Sequence, residues 1–174
     1  MHPKGRYNIK VAQRHGVEVR QSNDIDPFYE LMCTTAKRDG FTIGTKRRYS
    51  AFLGDLSHSF LLMAYNADTP IAGLLGVCWG STGIYYYGAS SSEYRHLMAP
   101  YLLQWQAIQH CKAQGCVRYD LLGVDPPGKA TAWIGVTEFK RKLGGQMVEY
   151  PAETMMILRP LVYKGLRLKR KLIG

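Results

Sequence analysis

Reactive side chains are sparse in this 174-residue chain, and one run of them is dense: Lys46, Arg47, Arg48 and Tyr49. Three cations and a phenol ahead of a helical stretch suit phosphate oxygens, which bind charged N–H donors strongly. A solvated helix start would read the same way. Asp120 closes the apolar run VRYDLLG beside the Pro/Gly loop VDPPGKAT. There it can serve as an acceptor or base, or bind the N–H groups of its own loop. Tyr86 and Tyr87 are adjacent in IYYYG, so on a strand their rings face opposite ways. At least one belongs to the core, and Tyr87 is the candidate for lining a pocket. His15, His58, His96 and His110 have no Ser, Cys or carboxylate at a telling spacing, so no triad is assembled from them. Cys33, Cys78, Cys111 and Cys116 form no CxxC pair, which argues for buried free thiols over a zinc site or a disulfide framework. Phe139 and Lys140 stand in GVTEFKRKLGG, where Lys140 taken alone is one more surface cation beside Arg141 and Lys142.

The elements that position these residues are organised by the stretch from Ile84 to Cys116. Residues 84–87 have strand composition, and Gly88 to Ser92 break it. A helix follows in which a Ser caps and Glu93 meets the dipole. Its apolar positions are Leu97, Tyr101, Trp105, Ile108 and Cys111, with Tyr101 and Trp105 as packing residues, and it stops at Gly115. Residues 117–122 read as the next strand, so the unit is a right-handed crossover. Upstream, residues 3–15 read as a helix, 17–20 as a short strand, 27–40 as a helix opened by Pro27, and KRRYSAFLGDL as another helix. FLLMAYN, IAGLLGVCWG and IYYYG are strands joined by short turns, an antiparallel meander. Downstream come a helix over 133–143, the strand-like pieces QMVEY and ETMMIL, and a basic helix from Leu161.

This length accommodates one full core. A hydrophobic content of 46% with 21% charged residues is that of an ordinary soluble globular protein. No run reaches membrane-spanning length, and the N-terminal residues lack an apolar export core, which predicts a cytoplasmic location. The net charge of +10 sits at the ends. Residues 1–20 hold five Lys/Arg and one acid, residues 159–174 hold six and none, and the middle holds twelve of each sign. Two basic ends on a neutral middle suit a polyanion such as nucleic acid or anionic lipid, or are solvated helix faces.

The order of helices, meandering strands, helix, strand, helix and strands resembles the GNAT acyltransferase fold. That is an α/β (α+β) architecture with a mixed, mostly antiparallel twisted sheet flanked by helices. In an acetyltransferase of this fold the corresponding strand-to-helix loop is Gly-rich and wraps the coenzyme A pyrophosphate at a helix N-terminus. Here the loop is GASSSEYRHLMAP, with one Gly and with Glu93 where the phosphate charge would go. The expected acyl donor is therefore not acetyl-CoA.

Longer strings resemble a family. HPKGRYNIKVAQRHGVEV, FYELMCTTAKRDGF, YYYGASSSEYRHLMAPYLLQWQAI, GCVRYDLLGV and GVTEFKRKLGG, in this order, look like the Fem family of peptidoglycan bridge-forming aminoacyltransferases. The resemblance implies transfer of Gly, Ala or Ser from aminoacyl-tRNA to the stem-peptide amino group of UDP-MurNAc-pentapeptide or lipid II, with no coenzyme A and no metal. The membrane surface, at its inner face, is then a further partner. It also implies that Phe139 and Lys140 lie beside the transferred ester. Lys140 would stabilise the oxyanion of the tetrahedral intermediate, and Phe139 would pack against the acyl or ribose end. Lys46, Arg47, Arg48 and Tyr49 would engage phosphate, Tyr87 the peptide or aminoacyl pocket, and Asp120 the attacking amine. Such a reaction needs positioning, proton loss and oxyanion stabilisation, not a protein nucleophile.

Members are built from two GNAT-like domains, and this chain has about half their length. Residues 21–158 resemble the second domain, residues 1–20 a late helix and strand of the first, and the basic helix 159–174 the piece that returns to it. A first domain supplied by another chain is thus an expected partner. Two other classes fit fewer of the residues: an acetyl-CoA-dependent acetyltransferase, and a non-catalytic RNA- or membrane-surface-binding module built on the basic ends.

Overall fold

A computed structural model describes residues 1–126, 128, 133–151 and 154–173. Its frame is a five-stranded sheet in sequential order: β1 (Val17–Ser22), β2 (Ser59–Asn66), β3 (Thr69–Trp79), β4 (Thr82–Ser90) and β5 (Arg118–Asp120). The first four strands run antiparallel, and β5 lies parallel to β4. The helices are α1 (Pro3–Arg14), α2 (Asp26–Asp39), α3 (Lys46–Asp55), α4 (Ala99–Ala113), α5 (Ile134–Leu143) and α6 (Pro160–Ile173).

Alternation along the strands assigns the two faces. Phe60, Leu62 and Ala64 of β2, with Ala72, Leu74 and Cys78 of β3, pack against α1, α4 and the end of α5. Leu61, Met63, Leu75 and Ala89 pack on the opposite side against α2 and α3. Three of the four cysteines are buried on the first side, with Cys78 Sγ and Cys111 Sγ 3.7 Å apart, whereas Cys33 is exposed on α2.

α1 begins at Pro3, the residue best tolerated in a first turn, and the His2 ring accepts the Lys4 N–H at 3.2 Å. Ile9 and Ala12 turn into the core. The His2 N–H donates to the Lys142 carbonyl at the end of α5, 3.2 Å away. Gly5 permits this approach, since a Cβ there would collide with the same carbonyl. The expected division between residues 20 and 21 falls inside β1, whose ladder with β2 runs unbroken from Val17 to Ser22.

Two local expectations are corrected. α4 does not start at Ser92 with Glu93 in its first turn. Glu93 lies in a turn ahead of a 3-10 segment, Arg95–Leu97, and α4 opens after Met98, which takes φ 56°. Pro100 sits in the first turn of α4, where its missing N–H costs least. The buried stripe of α4 then runs through Leu103, Ala107 and Cys111, and Trp105 is turned outward at 37% exposure. The second correction concerns QMVEY and ETMMIL. Residues 146–150 and 154–158 carry no strand, and Glu153 lies outside the described residues. A strand requires a partner edge for its N–H and C=O groups, and these stretches form no ladder with β5, which pairs with β4. Of the expected loop over 124–131, residues 127 and 129–131 also lie outside the described residues.

Candidate active site

The parallel ladder between β4 and β5 covers Thr82–Ile84 against Arg118–Asp120 and goes no further. Just beyond it, the pairing of β4 with β3 shifts. Gly76 faces Tyr85 and Leu75 faces Tyr87, so Tyr86 is the extra residue of a β-bulge. A bulge bends its strand and strengthens the local twist, here at the point where β5 ends. On a regular strand, residues two apart share a face. Across the bulge they do not: Tyr85 packs with the α4 and α5 side, Tyr87 with the α2 and α3 side. β4 and the chain leaving β5 therefore form a fork.

Lys140 of α5 lies in this fork. It is 6% exposed, its Nζ donates to the Gly123 carbonyl at 2.7 Å, and it stands 5.8 Å from the centroid of the Tyr85 ring. Burial holds its pKa below the ordinary lysine value, and the Asp120 carboxylate opposes part of that shift. An ammonium has three N–H donors. The Gly123 carbonyl takes one, and an oxygen entering the fork can take another.

The surrounding groups fix this lysine. Asp120 Oδ1 accepts the Leu122 N–H at 2.7 Å, with Leu122 held at φ 58°. Asp120 thus binds its own loop, as Asp often does in turns, while its charge acts on Lys140. Thr137, buried on α5, accepts the Asp125 N–H through Oγ1 at 2.9 Å and pins the helix to the same loop. Phe139 packs edge-on against Tyr101 of α4, with centroids 5.0 Å apart. The Tyr85 hydroxyl rests over Gly88, where a Cβ would collide with it. Burial pushes its pKa up to about 12, so it stays a neutral phenol.

Tyr49 and Tyr87 lie across the sheet from this group, and the three cations begin the same helix as Tyr49. Lys46 is exposed and paired with Asp26 at 2.5 Å. Arg47 and Arg48 are exposed on α3. Tyr49 is a core residue at 2% exposure, within 6.0 Å of the rings of Phe28, Tyr29 and Tyr87. Tyr87 completes that aromatic cluster and touches Phe52 as well. The structure therefore brings Lys140, Phe139 and Asp120 together, adds Tyr85, and sets Tyr49 and Tyr87 apart from them. Tyr85 escaped the sequence reading, although one signal pointed to it. A Gly inside a strand pattern, here Gly88 after three aromatic residues, marks a bulge or a close approach.

Several N–H groups around the start of α4 are already engaged. The N–H groups of Arg95, Leu97, Met98 and Tyr101 already bond to the carbonyls of Ser92, Tyr94, Arg95 and Met98. The Ser91 N–H bonds to Ile71, and Pro100 has none. Among the described residues, no group of three His, Cys, Asp or Glu side chains is placed to hold a metal ion.

Comparison with known proteins places this geometry in context. The sequence model of the FemAB family matches residues 1–65 and 58–171. Aminoacyltransferase FemA of Staphylococcus epidermidis is 29% identical over 90 residues, covering 51% of this chain and 22% of that protein. Lipid II:glycine glycyltransferase of Staphylococcus saprophyticus subsp. saprophyticus is 30% identical over 95 residues, covering 54% and 23%. The matched part is thus less than a quarter of each of these relatives. Among solved structures, FemX aligns with a TM-score of 0.73 at 19% identity, over 82% of this chain and 54% of its own. A possible acetyltransferase from Clostridium difficile aligns with a TM-score of 0.62 at 16% identity, over 82% and 99%. The fold is that of the GNAT-like acyltransferases, as the order of elements predicted.

Proposed function

The chain belongs to the FemAB family, and from that premise we propose that it carries the acyl-transfer centre of a tRNA-dependent aminoacyltransferase acting on a peptidoglycan precursor. The observation that carries the proposal is the Lys140 ammonium, buried in the β4–β5 fork and aimed by Gly123, Asp120 and α5. In the reaction, the stem-peptide amine attacks the ester carbonyl of the aminoacyl-tRNA. A C–N bond forms, the ester C–O bond breaks, and the amine proton ends on the ribose hydroxyl that leaves. Negative charge collects on the former carbonyl oxygen. A fixed N–H donor in a site of low dielectric stabilises it more than water would. Phe139, braced on Tyr101, supplies an apolar wall beside the acyl group. Asp120 accepts from the incoming amine with the carboxylate capacity its loop bond leaves over.

A donor other than coenzyme A is favoured by the loop ahead of α4, where Glu93 lies and several N–H groups are already engaged. Glycine as the transferred residue, and a lipid-linked acceptor, are the choices favoured by the named glycyltransferase relative. The part of that relative matched here is 23% of its length, which is consistent with much of the precursor being held by residues outside the match. The test is to incubate the protein with pooled aminoacyl-tRNAs, acetyl-CoA and either UDP-MurNAc-pentapeptide or lipid II, and to weigh the precursor by mass spectrometry. A gain of one amino-acid residue, with or without an added first domain, is the expected result. An acetyl gain overturns the reading.

A further inference from the structure

The fork holds a polar group that the chemistry of Lys140 leaves unused. Tyr85 lies on the arm of β4 just beyond Ile84, the last residue paired with β5. Its ring runs along that arm until the hydroxyl rests over Gly88. The Lys140 Nζ stands over the same ring, 5.8 Å from its centroid. The side chain is half-buried. Among the described residues, no hydrogen bond engages its hydroxyl, and no fully buried side-chain oxygen or nitrogen lacks a partner. The Tyr85 oxygen therefore opens on space that solvent or a substrate reaches. Tyr119 of β5, packed on the same side of the sheet, differs. Its hydroxyl is spent on Gln104 Oε1, 2.9 Å away. We propose that the Tyr85 hydroxyl is a catalytic proton relay, taking a proton from the attacking amine as it gives its own to the ribose oxygen that leaves. The relay rests on the acyl transfer proposed above.

Once the amine has added to the ester carbonyl, its nitrogen has a proton to lose and the ribose oxygen needs one to depart. Both atoms are bound to the same tetrahedral carbon, so one hydroxyl beside that carbon reaches both. An N–H bond of the amine breaks as an O–H bond forms at Tyr85, and the original Tyr85 O–H bond breaks as one forms on the ribose oxygen. The C–O bond breaks with its electron pair on that oxygen, and the phenol ends as it began. The charged groups of the fork lack one half of this exchange. The Lys140 ammonium has donors and no acceptor, and the Asp120 carboxylate accepts without a proton to give. A phenol does both. Burial pushes the Tyr85 pKa up to about 12, so the hydroxyl keeps its proton until the ribose oxygen takes it.

The test is Tyr85→Phe in the precursor assay, since this change keeps the ring beside Lys140 and removes only the hydroxyl. The single-turnover rate should fall by about 10²-fold or more, the usual share of acid–base catalysis. The precursor concentration giving half the maximal rate should not change. Rates in mixtures of H2O and D2O separate a relay from packing. The parent should give a curved dependence on deuterium fraction, from two protons in flight, and Tyr85→Phe a linear one. 3-Fluorotyrosine at position 85 keeps the hydroxyl and should restore both the rate and the curve. Equal rates for the parent and Tyr85→Phe overturn the relay and leave the transfer reaction standing. A slower variant that keeps the parent's curvature also overturns it, and makes Tyr85 a packing residue. A parent without transfer overturns the reaction and the relay together. If Tyr85→Phe fails to fold by circular dichroism, the 3-fluorotyrosine chain decides, and a linear dependence there overturns the relay.

Discussion

At the scale of one residue, Lys140 makes two separable predictions. If its ammonium stabilises the oxyanion, Lys140→Met should lower transfer by roughly 10²–10³-fold, the usual effect of removing one such donor, while circular dichroism stays unchanged. Near-normal turnover would remove Lys140 from the mechanism. The second prediction concerns pH. Burial depresses the folded-state pKa of Lys140 below 10.5, so at neutral pH the folded chain bears the cost of holding a desolvated charge. As pH rises toward 10.5, the folded form sheds this proton before the unfolded form does. The unfolded state then binds more protons, and stability rises. Lys140→Met lacks that cost, and the Gly123 carbonyl it abandons is on an exposed residue that water can serve. The variant should therefore be at least as stable as the parent near neutrality, with the difference closing as pH climbs. Urea midpoints across that range check it, and a difference that widens with pH would refute the burial account.

At the scale of the element, the bulge in β4 is the feature that makes a site out of a sheet. Deleting Tyr86 should leave Gly76 opposite Tyr85 and Leu75 opposite Tyr87, so both rings keep their faces while the strand loses its bend. β4 and β5 would then be free to pair further and close the fork. The loss of the Tyr86–Phe52 contact should cost about 1 kcal/mol, visible as a small fall in Tm, whereas transfer should drop far more. Retained transfer in a folded deletion variant would show that the bulge is not needed. This is also where legibility from sequence ends. The apolar runs of β2 and β3 between short turns, Pro27 at the start of α2 and the glycines closing α1 and α5 all announced their elements. A bulge leaves composition untouched, so IYYYG reads as plain alternation and points to Tyr87. The start of α4 was misread because Ser92 and Glu93 look like a cap, while the left-handed Met98 and the following Pro100 decide the matter. The pairing of Phe139 with Lys140 was visible only through resemblance. Nothing in the spacing of FKRKLGG tells a buried lysine from its two solvated neighbours.

At the scale of the whole molecule, the first helix of the fold meets the helix that carries Lys140. α1 bonds to the last turn of α5 through His2 and Lys142, and Gly5 makes the approach possible. Gly5→Val should force the two apart, lowering stability by about 1–3 kcal/mol as overpacking does. It should also lower transfer, because α5 carries Lys140. Thermal unfolding and turnover measured on the same preparation check both, and unaltered turnover in a destabilised variant would separate α1 from the site. The charge imbalance was legible from sequence at this scale, but the brace was not, since a glycine among basic residues looks like a weak point in a helix. The same contact has a practical side. The main chain of Met1 packs against Gly144, and its carbonyl is held by Arg6 at 2.6 Å. A purification tag fused directly ahead of Met1 would press on the turn that ends α5, so the assays above call for a flexible spacer at that end.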